Sequence, residues 1–250
     1  MAGHSKWKQI KRDKAVVDAK RGSLFTKLGR EITMAARVAG PDPGANSRLR
    51  LALQKARESN MPMDIIDRAI AKATGETDAG QLAEVVYEGY GPGGTAVLVE
   101  AVTDNRNRTV AEVRNVFGRG GGNLAEAGSV AWVFTTRGVI SINVTPEVDA
   151  EAVALAAIDA GAEDFEADDG LLSIYTRPES LESVRKVLEE DGVQPASCEV
   201  ARVPTTTITL EAKDALQALK LLDRLEDLDD VQRVYSNADF PEEVLAEYAG

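Results

Sequence analysis

Apolar residues recur every three or four positions up to about residue 75 and follow a strand-and-helix alternation from about residue 82 onward. A helical period and a strand period cannot share one layer, so this switch divides the chain into a helical part and an α/β part. In the first part Leu24, Leu28, Ile32 and Ala35 form one stripe, widened by Phe25 and Ala36. Ser23 can cap this helix after Gly22 interrupts the preceding basic run, and Gly40 with Pro41-Asp42-Pro43-Gly44 stops it. Asn46 or Ser47 opens a second helix with Leu49, Ala52, Leu53 and Ala56 inward. A third starts near Asn60 with Pro62 in its first turn, turns Ile65, Ile66, Ala69, Ile70 and Ala73 inward and ends at Gly75. The polar stretch GETDAGQ from Gly75 reads as a linker.

Beyond the linker, VVYEGY and TAVLVEAV read as a hairpin across Gly-Pro-Gly-Gly, TVAEVRNVF as a helix and VAWVF as a strand. Residues near 135 to 204 then spell β-α-β-β-α-β, with a hairpin from Asp164 to Tyr175; this is the order of a ferredoxin-like unit. TITL, the helix AKDALQALKLLDRLEDL and the strand VQRVYSN follow. The fold expected is α+β: an N-terminal helical bundle followed by two α/β domains, at least one ferredoxin-like. The boundaries expected are 1–76 for the basic helical domain, 82–134 plus 205–240 for one α/β domain, 135–204 for a second inserted in it, and 241–250 for a C-terminal tail.

Charge divides at the same place. The whole chain carries a net charge of −12. Residues 1 to 75 hold 16 Lys and Arg against 7 Asp and Glu, a net of +9, and the remainder holds 13 against 34, a net of −21. Such a split points to a basic module that meets a polyanion and an acidic body that does not; the alternative is a solvated helical domain with no ligand. The cations crowd at the start, in MAGHSKWKQIKRDKAVVDAKRG. This head is too polar to pack alone and is expected to fray when free. On a phosphate backbone it would release counterions and bind more tightly at low salt. The candidate nucleic-acid-binding residues are Lys6, Trp7, Lys8, Lys11, Arg12, Lys14, Lys20 and Arg21, with Lys27, Arg30 and Arg37 projecting opposite the apolar stripe of the following helix. Trp7 could stack on an unpaired base or pack onto the bundle, and the residues leave both open.

Other patterns lead away from catalysis. Gly89-Tyr90-Gly91-Pro92-Gly93-Gly94 matches G-x-G-x-x-G, but a strand follows it where the dinucleotide fingerprint needs a helix, so it reads as a hairpin turn. Gly118-Arg119-Gly120-Gly121-Gly122-Asn123 lacks the Lys-Ser/Thr of a phosphate-binding loop. It reads as a flexible connection in preference to a cradle for phosphate or for a partner backbone. One histidine, His4, and one cysteine, Cys198, supply neither a zinc site nor a catalytic triad. No enzyme, metal or cofactor is expected. No run of about 20 apolar residues spans a membrane and no secretory signal opens the chain, so a cytoplasmic location is expected.

MAGHSKWKQIKRDKAVVDAKRG, with LFTKLGREI, DPGANSRLR, NMP, the GGNL…GSVAWVF run and LEDLDDVQRVYSN, resembles the YebC/PmpR family over essentially the whole chain. The resemblance implies a helical N-terminal domain and two α/β domains around a cleft. It also implies nucleic-acid work. Members are labelled transcriptional regulators, DNA binding is attributed to some, a mitochondrial relative is a translational activator, and bacterial members are linked to ribosomes stalled on proline-rich sequences. Arg12-Asp13-Lys14 departs from the more basic run the family pattern leads one to expect, which puts a phosphate contact there in doubt. The partners implied are DNA, ribosomal RNA or both, with a protein partner of the acidic domains as a further reading. The reading adopted is a DNA-binding transcriptional regulator; the alternative is a ribosome-associated translation factor that relieves stalling on proline-rich sequences. Against the first stands the lack of a clear recognition helix with base-reading side chains in its first turn.

Overall fold

The computed structural model describes residues 21–75, 82–146, 148–168 and 170–249. The basic head from Lys6 to Lys20 and the linker residues 76–81 lie outside them.

The chain is a mixed α+β fold. Its helical part comprises α1 (Arg21–Ala39), α2 (Ser47–Glu58) and α3 (Met63–Thr74). Their shared core is the one that the periodicity predicts: Leu28, Ile32, Ala35 and Ala36 of α1 meet Leu49, Leu53 and Ala56 of α2 and Ile66 of α3, all buried. Leu24 departs from the stripe and stays exposed. Gly22 and Ser23 lie inside α1, so Ser23 does not cap it. Asn46 does cap α2: its Oδ1 accepts from the Leu49 amide at 3.0 Å. Its Nδ2 donates to the carbonyls of Ala35 and Gly40, each at 2.8 Å. One buried amide thus closes the end of α1 and the start of α2 together, so that helix-end groups that would otherwise lack partners gain them. Pro62 precedes α3 as its N-cap, and Gly75 follows as its C-cap.

The first sheet has the order β3-β1-β2-β9. Strands β1 (Ala83–Tyr90) and β2 (Ala96–Thr103) form the expected hairpin, antiparallel from Ala83↔Thr103 to Tyr90↔Ala96. The turn Pro92–Gly94 joins them, so the G-x-G-x-x-G segment is indeed a turn. Helix α4 (Arg106–Arg119), the short β3 (Asn123–Leu124), α7 (Ala212–Glu226) and β9 (Val231–Ser236) complete this unit. Val97, Val99 and Ala101 of β2 face Phe117 of α4 and Leu219 and Leu222 of α7 in its core.

The second sheet has the order β5-β6-β4-β7. It is built from β4 (Phe134–Asn143), β5 (Asp164–Asp168), β6 (Leu171–Thr176) and β7 (Ser197–Pro204), with helices α5 (Ala150–Asp159) and α6 (Leu181–Glu190). All three pairings are antiparallel. Counted from its own first strand the order is 2-3-1-4, the ferredoxin-like arrangement. Ile140, Ile142, Leu172 and Ile174 pack on Ala154, Val184 and Leu188 of the two helices. The first sheet therefore takes strands from both sides of the second in the chain. A further apolar seam joins them, with Leu98 and Tyr235 meeting Phe134 and Ala201.

Three expectations change. VAWVF is not one strand: Ala131–Val133 is a helical turn, and β4 begins at Phe134. The stretch expected as a tail carries α8 (Glu242–Ala249), whose Val244 and Leu245 are buried against the first sheet's core. The two-residue β8 (Ile208–Thr209) pairs in parallel with β10 (Ala238–Asp239) just before that helix. The glycine loop after α4 is packed and not a free connection. A Cβ on Gly122 would lie 2.3 Å from the Tyr90 carbonyl oxygen, and one on Gly120 would lie 2.6 Å from Leu221. Gln217 of α7 donates to the Gly120 carbonyl at 3.2 Å. The close backbone approach that glycine permits is made by the chain itself.

Candidate nucleic-acid interface

Helix α1 is where the basic module meets the acidic body. Ser23, Lys27, Arg30 and Arg37 lie within a quarter-turn arc at about 100° per residue, away from the apolar stripe. Lys27 donates to the Glu226 carbonyl at the C-terminus of α7, where a cation also complements the helix dipole. Ser23 donates to the Asp229 carboxylate at 3.0 Å, and Arg30 to the Asp229 carbonyl at 2.6 Å. Arg30 also pairs with Asp230 at 2.8 Å. Arg37 donates to the Leu82 carbonyl at 3.2 Å, at the entry to β1. These three cations, expected to project outward, tie α1 to the body. Arg21 begins α1.

Asp230 is the centre of this joint. Its side chain is 3% exposed. It accepts from Thr109 at 2.6 Å and Thr103 at 3.0 Å, and pairs with Arg108 at 2.9 Å as well as with Arg30. Burial alone would raise its pKa. The hydrogen bonds from Thr109, Arg108 and Thr103, with the charge of Arg30, outweigh burial and hold the carboxyl below its ordinary range.

Helix α2 contributes a second set of ties. Arg48 bonds Glu31 at 3.0 Å and also reaches Glu84 of β1. Arg50 lies 3.8 Å from Glu182 of α6 and donates to the Pro43 carbonyl at 2.6 Å. Burial would raise the Glu31 carboxyl, but Arg48 and the charge of Arg233 hold it low. The apolar seam between the two sheets also carries an ion pair: Arg202 of β7 pairs with Glu100 of β2 at 3.1 Å, and donates to Thr136 of its own sheet at 2.6 Å.

Cations that remain exposed in the helical part include Arg57, Arg68 and Lys72. A cleft of about 440 Å³ opens between α1, α3 and the first sheet, with Phe25 and Ile65 as apolar lining and Arg30, Arg68, Lys72 and Asp104 as polar lining. Among the described residues, no group of three or more His, Cys, Asp or Glu is placed to hold a metal ion. No described helix is long and apolar enough to cross a membrane.

Sequence reasoning found the cations but not their partners. The acidic turn LEDLDD looks like solvated surface in one dimension; only the fold brings Asp229 and Asp230 under α1. It also missed Glu88, a buried carboxylate on β1. Glu88 accepts from the amides of Gly128, Val130 and Ala131 at 2.7, 2.7 and 2.8 Å. Burial opposes its ionisation, yet these three amides keep its pKa below the usual value.

The architecture is thus a mixed α+β protein whose cation-rich helical module is docked, largely by ion pairs and cation–carbonyl bonds, on two antiparallel sheet units. The chain belongs to the TACO1/YebC family: residues 5–76 match the family's N-terminal domain, and residues 82–238 match its second and third domains. A relative from Dehalococcoides mccartyi, named a probable transcriptional regulatory protein, is 53% identical over 99% of this chain and 98% of its own. One of the same name from Thermomicrobium roseum is 54% identical over 98% of each. The crystal structure of a conserved hypothetical protein from Aquifex aeolicus superposes with a TM-score of 0.84 at 46% identity, covering 92% of this chain and 95% of that one.

Proposed function

We propose that this protein is a non-enzymatic, nucleic-acid-binding regulator of transcription that grips DNA phosphates through its basic head. The observation that carries the reading is the charge split, +9 before residue 76 against −21 after it. Lys27, Arg30, Arg37, Arg48 and Arg50 make intramolecular ties and therefore act as positioning residues. Lys6, Lys8, Lys11, Arg12, Lys14, Lys20 and Arg21 are the proposed phosphate contacts, and Trp7 the proposed aromatic one. The acidic body repels the same polyanion, so the head leads the approach. The names of the curated relatives support a regulatory role in transcription. Division into 1–76, 82–134 with 205–240, and 135–204, and a cytoplasmic location, belong to the same reading.

The test is crosslinking of the tagged protein in cells, followed by sequencing of the bound DNA and RNA together. Enrichment at a few promoters is the expected result. Reads concentrated on ribosomal RNA and tRNA would overturn transcription in favour of the ribosome-associated reading. Enrichment of neither would overturn nucleic-acid binding altogether.

A further inference from the structure

We infer that the outer edge of β5 is a docking site for a lysine- or arginine-rich extended segment of a protein partner, which adds to the second sheet as a further strand. This does not depend on the nucleic-acid reading above. Strand β5 ends the second sheet and, among the described residues, pairs only with β6. The ends of the first sheet are less open: β3 is two residues long, and from β9 Arg233 donates to the Val200 carbonyl of β7 at 3.2 Å. Every residue of β5 except Glu166 is exposed. The Phe165 amide donates to the Asp164 carboxylate at 2.9 Å and so points away from β6. Residues alternate along an antiparallel pair, so Phe165 and Ala167 both turn their backbone groups outward. Free edge groups of this kind are a template for an incoming strand.

Charge selects the occupant. From Asp159 to Asp168 the chain holds five carboxylates and no Lys or Arg. The cations beside this stretch are engaged: Arg177 lies 4.0 Å from Glu163 and 3.9 Å from Glu179, and Arg137 sits over the Tyr175 ring. A second copy paired through β5 about Glu166 would set Asp164 against Asp168 and Glu166 against itself, like charges directly opposite. Nucleic acid is repelled by the same field. A strand with Lys or Arg across from these carboxylates reverses the sign of every such pair. It also opens the edge, because a cation that draws the Asp164 carboxylate to itself releases the Phe165 amide for the partner's carbonyl. Apolar contact adjoins the edge. Phe165 and Ala167 stand across from Ile174 and Leu172 of the helix-covered core, yet Phe165 is 42% exposed. Helix α5 packs along β5, and its Leu155 and Ile158 are exposed as well. Three residues apart, they lie within about 60° of each other on the helix. Carboxylates alone would only blunt an edge. Joined to an exposed ring and two exposed aliphatic side chains, they make a surface for the alternating side chains of an incoming strand.

The probe is a synthetic peptide of alternating Lys and Val, titrated into the full chain and followed by amide NMR, with alternating Lys-Pro and Glu-Val peptides as controls. The Lys-Val peptide is expected to shift the Phe165 and Ala167 amides and to slow their exchange. The Lys-Pro peptide carries the same charge but lacks every second backbone donor, and is expected to bind on the order of tenfold more weakly. Phe165→Lys, at an exposed position, is expected to weaken the Lys-Val peptide on the order of tenfold. Ala167→Pro, which removes an outward donor, is the second variant and is expected to act in the same direction. Failure of the Lys-Val peptide to bind, shifts spread over the acidic surface, equal binding of either control, or unchanged affinity in both variants would overturn the proposal. Binding seen only after Lys6, Lys8, Lys11 and Lys14 are reversed to Glu would make the chain's own head the occupant and overturn the partner. Concentration-dependent shifts at β5 without peptide would overturn it in favour of a second copy.

Discussion

Replacing Asp230 by Asn tests the joint between the helical module and the body. The side chain is almost fully enclosed and gathers donors from Thr103, Thr109, Arg108 and Arg30. An amide is nearly isosteric, but it removes the negative charge and turns an N–H toward groups that are themselves donors. Removing one member of a buried, hydrogen-bonded charge pair costs about 3–5 kcal/mol. Arg108 is 43% exposed and can return to water, so the lower end, about 3 kcal/mol, applies. For a chain of this size that corresponds to a fall in Tm of about 6–12 °C. The pH dependence has a definite sign. Because the folded pKa is depressed, the charge contributes its full stability above the unfolded value near 4 and loses it as pH falls through the folded pKa. Urea unfolding followed by circular dichroism should therefore show a wide gap between wild type and Asp230→Asn at pH 7, closing toward pH 3. A loss below about 1 kcal/mol, or a gap that stays constant with pH, would refute the reasoning.

Substituting Lys27, Arg30 and Arg37 together by Gln should loosen α1 from the body, seen as faster amide exchange in α1, while changing nucleic-acid affinity by less than about threefold, since screened charges at fixed sites contribute little over distance. Gly121 has φ of +79°, and a Cβ there would lie 2.0 Å from Gln217 Nε2. Gly121→Ala should accordingly cost about 1–2 kcal/mol in denaturant unfolding, whereas Gly118→Ala, with nothing within 4 Å, should be neutral or stabilising. Burial pushes the Cys198 thiol up to about 12. Iodoacetamide at pH 8 should thus modify it slowly in the native protein and rapidly in urea, which mass spectrometry would follow.

The elements were legible in the sequence wherever one periodicity ran unbroken. Ile32, Leu49 and Ile66 could be assigned to a shared core because their faces repeat at helical spacing. The β-α-β-β-α-β order implied the 2-3-1-4 sheet because helices that cross one face of an antiparallel sheet leave few other arrangements. Legibility failed where long-range contacts decide the outcome. Trp132 sits among β-branched and aromatic neighbours that favour a strand, and only Glu88, more than 40 residues earlier, folds its loop into a turn. Ser23 looked like a cap, but Asp229 gives its hydroxyl a different partner. The glycines after α4 read as a flexible connection, because the sequence could not say that Leu221 and Tyr90 would pack against them. For the candidate site, composition located the cations. It could not separate those proposed to meet a polyanion from those that dock α1, because that depends on where Asp229, Asp230 and Glu226 come to lie.

That separation is the central claim, and salt dependence tests it most directly. The affinity for a short DNA duplex would be measured across a range of salt for wild type, for Lys6, Lys8, Lys11 and Lys14 reversed together to Glu, and for the Lys27, Arg30 and Arg37 triple variant. Each phosphate contact contributes about 0.9 to the slope of log affinity against log salt. The account predicts that the head variant loses most of the slope, about 3 or more, with its circular dichroism unchanged, and that the triple variant keeps the wild-type slope. A head variant that binds with the wild-type slope, or a triple variant that accounts for the loss, would contradict it.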